Sequence, residues 1–165
     1  MSYADLILPE FNQEMANTRK VLELVPDDKF DWSAGHGMQT IGWNANHLSE
    51  IPGWVEGTLT MPSWDINPPD GPKYESPTAK TRQQVLETFD KNVAAAQRAI
   101  AAVKDEDLDQ VWSLLYGGNV VFSIPRRDVI RSFVINHTIH HRAHLLVYLR
   151  LNDIQTPGMY SPSNG

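Results

Sequence analysis

The sequence predicts an all-α fold, a four-helix bundle. Three observations carry that prediction. Four separate segments repeat apolar residues at steps of three and four, the period of one helix face. Runs rich in proline, glycine or acidic residues stand between them. At 165 residues the chain has the size of one domain, 1–165, which buries a core without covalent staples. Four amphipathic helices in one domain pack most simply as a bundle.

The first helix shows its stripe at Ile7, Phe11, Met15, Leu22 and Val25. Pro9 complicates its start, because proline favours the first turn. Pro26-Asp27-Asp28 should follow its end. The second is expected from about Thr40 to Thr58, with a stripe of Thr40, Asn44, His47, Ile51 and Trp54, and with a kink or early break at Pro52. Residues 61–77 hold Pro62, Pro68, Pro69, Pro72 and Pro77 and read as an irregular connection. This long link between helices two and three predicts a crossover. The third helix should begin near Thr78–Thr81, where Thr81 and Gln84 fit a capping box. Its stripe is Val85, Phe89, Val93, Ala96, Ile100 and Val103, and Asp105, Glu106, Asp107 and Asp109 mark its exit. Gly117-Gly118-Asn119, between short apolar runs, predicts a hairpin-like excursion over 110–124. The fourth helix should run from Pro125 to about Asn152, with a stripe of Ile130, Val134, His137, His141, Leu145 and Tyr148. The tail from Thr156 to Pro162 reads as non-helical.

Composition narrows the function. Apolar residues make up 41% and charged residues 21% of the chain, an ordinary balance for a water-soluble protein. With no cysteine, disulfides and thiolate metal sites are excluded, so any metal must sit on His, Asp or Glu. A formal charge of −6 without a basic block argues against nucleic-acid binding. No apolar run approaches a membrane span, and Met1-Ser2-Tyr3-Ala4-Asp5 lacks the pattern of a signal peptide. A cytoplasmic protein with a small-molecule substrate and no membrane partner is the expectation.

The histidines carry the chemistry. His137 and His141 lie four residues apart and project from one helix face, with Cβ atoms about 5–6 Å apart. Both continue the apolar stripe of the fourth helix, so they should point into the bundle. His47 continues the stripe of the second. Buried polar groups need partners. Two readings satisfy that need: hydrogen-bonded core histidines, or one divalent ion shared by His47, His137 and His141. An in-phase pair plus a third imidazole on another core face favours the ion. The usual zincin motif would place Glu after the first His, where Thr138 stands.

Several motifs occur in order at fitting distances: Phe30-Asp31-Trp32, Asn46-His47-Leu48, Asn136-His137-Thr138-Ile139-His140-His141-Arg142, Val147-Tyr148-Leu149-Arg150 and Tyr160-Ser161-Pro162-Ser163. Together they resemble the DinB-like (DinB/YfiT) superfamily over essentially the whole chain. The resemblance implies a bundle in up-down-down-up order, a metal triad at His47, His137 and His141, nickel or zinc as the ion, and a homodimer. Characterised members are thiol transferases or isomerases that use mycothiol, bacillithiol or glutathione, and many others are described only as metal-dependent hydrolases. The sequence departs from the family at three places. Ala143-His144 stands where a small residue and Gln are usual, His36 is the only histidine near an expected Pro-His pair at Ala34-Gly35, and Asn44 replaces an apolar residue. His144 and Asn44 therefore become candidates to line the pocket.

Three imidazoles without a carboxylate leave an ion its full charge and an open position, the pattern of a catalytic site. The first functional expectation is a metal-dependent thiol S-transferase, in which a low-molecular-weight thiol attacks an electrophilic small molecule. The alternatives are a metal-dependent hydrolase that activates water, and a non-catalytic metal-binding protein with a closed sphere completed by His144. No catalytic residue beyond the ligands can be named. Glu50, one turn after His47, either holds the second ring nitrogen of His47 or is a solvated helix residue. Arg142 binds an anionic substrate group or makes a structural ion pair. His140 should lie off the ligand line, and His36, between two glycines, in a loop. Trp54 and Tyr148 fall at core phase, while Trp112, Tyr116 and Phe122 cap the core or cover the pocket mouth.

Overall fold

The computed structural model describes residues 2–160. Ser161, Pro162 and Ser163 of the last motif lie outside the described residues. Helix α1 (Tyr3–Leu22) starts ahead of Pro9, because Ser2 and Asp5 form a full capping box. The Ser2 hydroxyl accepts from the Asp5 N–H, and the Asp5 carboxylate accepts from the Ser2 N–H. Ile7, Phe11, Met15 and Leu22 are buried, and Val25 is buried just past the helix end.

Helix α2 (Ile41–Glu50) is capped by the Thr40 hydroxyl, which accepts from the Trp43 N–H. Its second residue must be glycine. A Cβ on Gly42 would meet the ring and the carbonyl oxygen of Phe30 at 2.8 Å, and the Gly42 N–H donates to that carbonyl. The helix expected over Thr40–Thr58 breaks at Pro52, through a 3₁₀ turn (Ile51–Gly53) into α3 (Trp54–Thr60). Helix α4 (Arg82–Ala102) opens at Thr81, whose hydroxyl accepts from the Gln84 N–H. The Gln84 side chain accepts from Lys80 N–H instead of completing the box.

The all-α expectation needs one correction: the protein is mostly helical with a small sheet. After a short α5 (Asp105–Leu108), strands β2 (Val111–Tyr116) and β3 (Asn119–Pro125) form an antiparallel hairpin. Gly117 and Gly118 turn it with φ of +61° and +79°, angles that favour glycine. The proline-rich connection supplies a third strand, β1 (Ser63–Asp65), parallel to β2 in the order β1-β2-β3. The Asp65 carboxylate accepts N–H groups of Asn67, Gly117 and Gly118, which ties the connection to the hairpin turn. A three-residue strand is too short to leave a period in the sequence.

The last helical run is continuous from α6 (Arg126–Val129) through a π-helical stretch (Ile130–Asn136) into α7 (His137–Leu151). Helix α1 packs on α4 and α7, and so does α2. Asn12 meets Gln97, Arg19 meets Asp90, Glu10 meets Arg131, and Asn92 reaches the Ser49 carbonyl. Phe11, Leu22, Ile41, Leu48, Phe89, Ile130 and Leu145 are among the fully buried residues between them. No helix among the described residues is long and apolar enough to cross a membrane.

One charged network lies inside this core. Arg142 Nη2 lies 2.6 Å from a Glu14 carboxylate oxygen, with side chains 2% and 6% exposed. Its Nη1 donates to the Glu14 carbonyl and the Thr18 hydroxyl. The Tyr160 hydroxyl accepts from Arg142 and donates to Glu14, which fastens the tail to α1. Arg142→Met leaves a buried carboxylate without its cation, so we expect a loss of about 3–5 kcal/mol in urea unfolding. Tyr160→Phe should cost about 1 kcal/mol. A loss for Arg142→Met within the scatter of surface substitutions would show that the network does not hold the bundle.

Candidate metal centre

Helices α2 and α7 bring three imidazoles together. His47 sits one turn before the end of α2, and His137 and His141 occupy the first two turns of α7. His137 Nε2 lies 3.3 Å from His47 Nε2 and 2.9 Å from His141 Nε2. One ring nitrogen from each of the three falls within 4.8 Å of the others. Nitrogens about 2.0–2.1 Å from a tetrahedral ion stand about 3.3 Å apart, so this spacing suits a shared ion.

The outer ring nitrogens explain why these lone pairs converge. His47 Nδ1 is 2.5 Å from Glu50 Oε1, an i, i+3 contact on one face of α2. A carboxylate only accepts, so the Nδ1 proton stays there and His47 Nε2 is left as a bare acceptor. Glu50 is itself buried and held by the hydroxyls of Tyr74 and Ser76. Burial, then the hydrogen bond to Glu50, push the Tyr74 phenol above its ordinary range. On the other helix, His141 Nδ1 lies 3.4 Å from Asn44 Oδ1, at the long limit of a hydrogen bond. His137 Nδ1 is buried without a well-formed hydrogen bond. The His47 ring is packed between indoles, stacked on Trp43 at 4.7 Å and edge-on to Trp54 at 5.7 Å.

Burial also sets charge. His137 is held below the usual imidazole range by desolvation, then by repulsion from His47. His141 is pushed down to about 3 by burial, then by His47, His137, His140 and His144. Neutral imidazoles are the form that ligates a metal.

The chain's profile match decides its family: residues 1–165 match the model of the DinB family. The chain belongs to the DinB family. Solved structures agree in fold at low identity. A DinB-like protein from Bacillus cereus ATCC 10987 is 21% identical, with a TM-score of 0.69 over 93% of this chain and 95% of that one. The DinB-like protein YjoA from Bacillus subtilis is 12% identical, with a TM-score of 0.69 over 96% and 99%. YfiT from Bacillus subtilis, described as a probable metal-dependent hydrolase with an unusual four-helix bundle topology, is 14% identical, with a TM-score of 0.67 over 94% and 91%. No curated protein matches the sequence.

Within this DinB family fold the remaining candidates divide. Asn44 and Glu50 touch the cluster. Arg142 does not; it is committed to Glu14. His144 groups with His140 and His141, its ring 4.3 Å from that of His140 on the exposed side of α7. His36 lies exposed in the Gly35–Gly37 turn at φ +54°. Tyr148 is buried against Trp32. Trp54, Trp112 and Phe122 line a cavity of about 260 Å³ that reaches His137, whereas Tyr116 is exposed. Sequence reasoning missed Trp43, Tyr74 and Ser76. Trp43 lay one residue off the core stripe, and the other two sit in the proline-rich link, where no period exists to place them.

The depressed His141 pKa makes stability depend on pH. An imidazole whose folded pKa lies below its unfolded value of about 6.5 refuses a proton that the unfolded chain accepts. Its contribution is full above that value and is lost as pH falls from there toward about 3. In chelator, the urea midpoint should therefore drop between about pH 7 and about pH 5, and His141→Gln should flatten the drop. An equal slope in the variant would rule out His141 as its source.

Proposed function

We propose that the protein is a metal-dependent enzyme in which His47, His137 and His141 hold one divalent ion beside an open position. The observation that carries this reading is the convergence of three Nε2 atoms, with the opposite nitrogens of His47 and His141 facing Glu50 and Asn44. When bound, such an ion supplies Lewis acidity and lowers the pKa of a water or thiol that it ligates. Zinc and nickel both suit an all-imidazole set.

The protein's own groups have separable tasks. Glu50 fixes the His47 tautomer and orients its ring. Tyr74 and Ser76 fix Glu50. Trp43 and Trp54 exclude water from the flanks of His47. Asn44 steers His141. Of the two nucleophiles, water comes first, because the structurally similar YfiT is described as a probable metal-dependent hydrolase. The thiol S-transferase reading stands second, on the family resemblance. The metal-binding reading without catalysis is disfavoured by the position of His144, which turns to His140 rather than closing the triad.

The same reading includes the up-down-down-up order. Its support is the sense of the contacts: residue numbers rise on α1 as they fall on α4 (Asn12 with Gln97, Arg19 with Asp90), and rise together on α1 and the last helical run (Glu10 with Arg131 of the π-helical stretch, Glu14 with Arg142 of α7). A single domain over 1–165, a cytoplasmic location and a homodimer complete it.

Elemental analysis of the purified protein should give about one zinc or nickel per chain, lost in the His47→Ala, His141→Ala double variant. Glu50→Gln should weaken metal affinity about 10–100-fold with the fold intact. The metal-loaded protein should hydrolyse members of a panel of small esters and amides without thiol. Turnover seen only after adding glutathione, bacillithiol or mycothiol with an electrophile would move the assignment to the transferase. No ion bound after supplying zinc or nickel at neutral pH would end the enzyme reading.

A further inference from the structure

The cavity of about 260 Å³ beside the cluster has walls of one kind. Trp54, Trp64, Tyr74, Trp112, Phe122 and Phe133 supply six aromatic rings, and His137 closes one end. Three ring pairs already pack against each other there, Trp112 with Phe122 at 6.1 Å among them. Trp64 meets Tyr74 edge-on at 4.8 Å, and Phe122 stacks on Phe133 at 4.6 Å and 12°. No Lys, Arg, Asp or Glu lines this space. Side chains from three sources build it: the helical segments, the proline-rich connection and the sheet.

The space is half open to solvent, so a guest can enter it and bury apolar surface against these rings. Water against these walls finds few polar partners, so an apolar guest displaces it at little cost. An apolar cavity of about 150 Å³ already holds benzene, so the larger space here admits a molecule of about two rings. A charged ligand would lose its hydration against these walls and gain nothing in return. Aromatic walls at these spacings favour a planar aromatic guest, by stacking or by edge contact.

We propose that this cavity holds the body of the substrate, an uncharged aromatic molecule of about two rings whose reactive group is directed at His137 and the neighbouring histidines. The role of the histidine end rests on the metal-dependent reading above; the aromatic cavity does not. The restriction follows from the walls: polar peptides, sugars and phosphorylated metabolites are poor guests, and neutral aromatic esters, amides or electrophiles are good ones.

The test uses 2-naphthalenemethanol and 2-naphthoate, matched in shape and different in charge. Binding is followed by quenching of tryptophan fluorescence and by calorimetry, in metal-free protein so that the carboxylate cannot gain by ligating an ion. The neutral probe should bind saturably, at least tenfold tighter than naphthoate, and should still bind after zinc loading. Ile66→Glu places a carboxylate in the cavity wall, on the connection beside β2 rather than on a helix that carries the histidines, and should weaken the neutral probe at least tenfold with zinc uptake unchanged. Ile66→Met should bind like the natural protein. Equal or tighter binding of naphthoate, or no binding of the neutral probe, overturns the proposal, and both are read on unaltered protein whether or not the variant folds. Probe binding without zinc uptake would remove the metal reading and leave the cavity assignment; zinc uptake without probe binding would do the reverse.

Discussion

The seating of α7 is the constraint on which the rest depends. Adjacent residues of this helix face different partners: His141 joins the cluster with His47 of α2, and Arg142 enters the Glu14–Tyr160 network on α1. Successive residues on a helix are separated by about 100°, so one turn reaches two neighbouring helices at once. Neither network tolerates a slip. A one-residue shift would remove an imidazole from the cluster and a guanidinium from its carboxylate together. Hydrophobic burial collapses the bundle, but it accepts many registers; these polar groups accept one.

The π-helical stretch belongs to the same constraint. Ile130, Val134 and Ile135 are all fully buried within it, a wider apolar face than an α-helical turn presents. The wider turn carries Phe133 and Val134 toward the cavity and delivers His137 at the start of α7. His137 thus stands where a tight helix succeeds a loose one, with the sheet-facing cavity behind it and the other histidines ahead.

The helices and the histidine phase were legible in the sequence because both depend on a period. Ile130, Val134, His137, His141, Leu145 and Tyr148 fall at steps of three and four; four of these six positions are buried in the structure, and His137 and His141 are partly so. Other features have no period to read. Strand β1 is three residues long, and what places it is the Asp65 carboxylate gripping a turn more than fifty positions away. Tyr74 and Ser76 reach Glu50 from the same connection, so the support of His47 was half visible: Glu50 by helix spacing, its own partners not at all. The Ser2–Asp5 box was there to be read, but Pro9 drew attention to a later start.

The Asp65 clasp has a consequence for how this scaffold diverges. It binds the proline-rich link to the hairpin, so Trp64, Ile66, Leu114 and Phe122 form one wall of the cavity as a unit. Trp64 and Ile66 meet Tyr74, which holds Glu50, while Leu114 and Phe122 sit on the hairpin strands. Replacing Leu114 or Phe122 redraws the space available to a guest without touching the groups that hold Glu50. Under the proposed function, the groups that would perform chemistry and the hairpin residues that would select its object are separate sets, and the two can change at independent rates along a lineage.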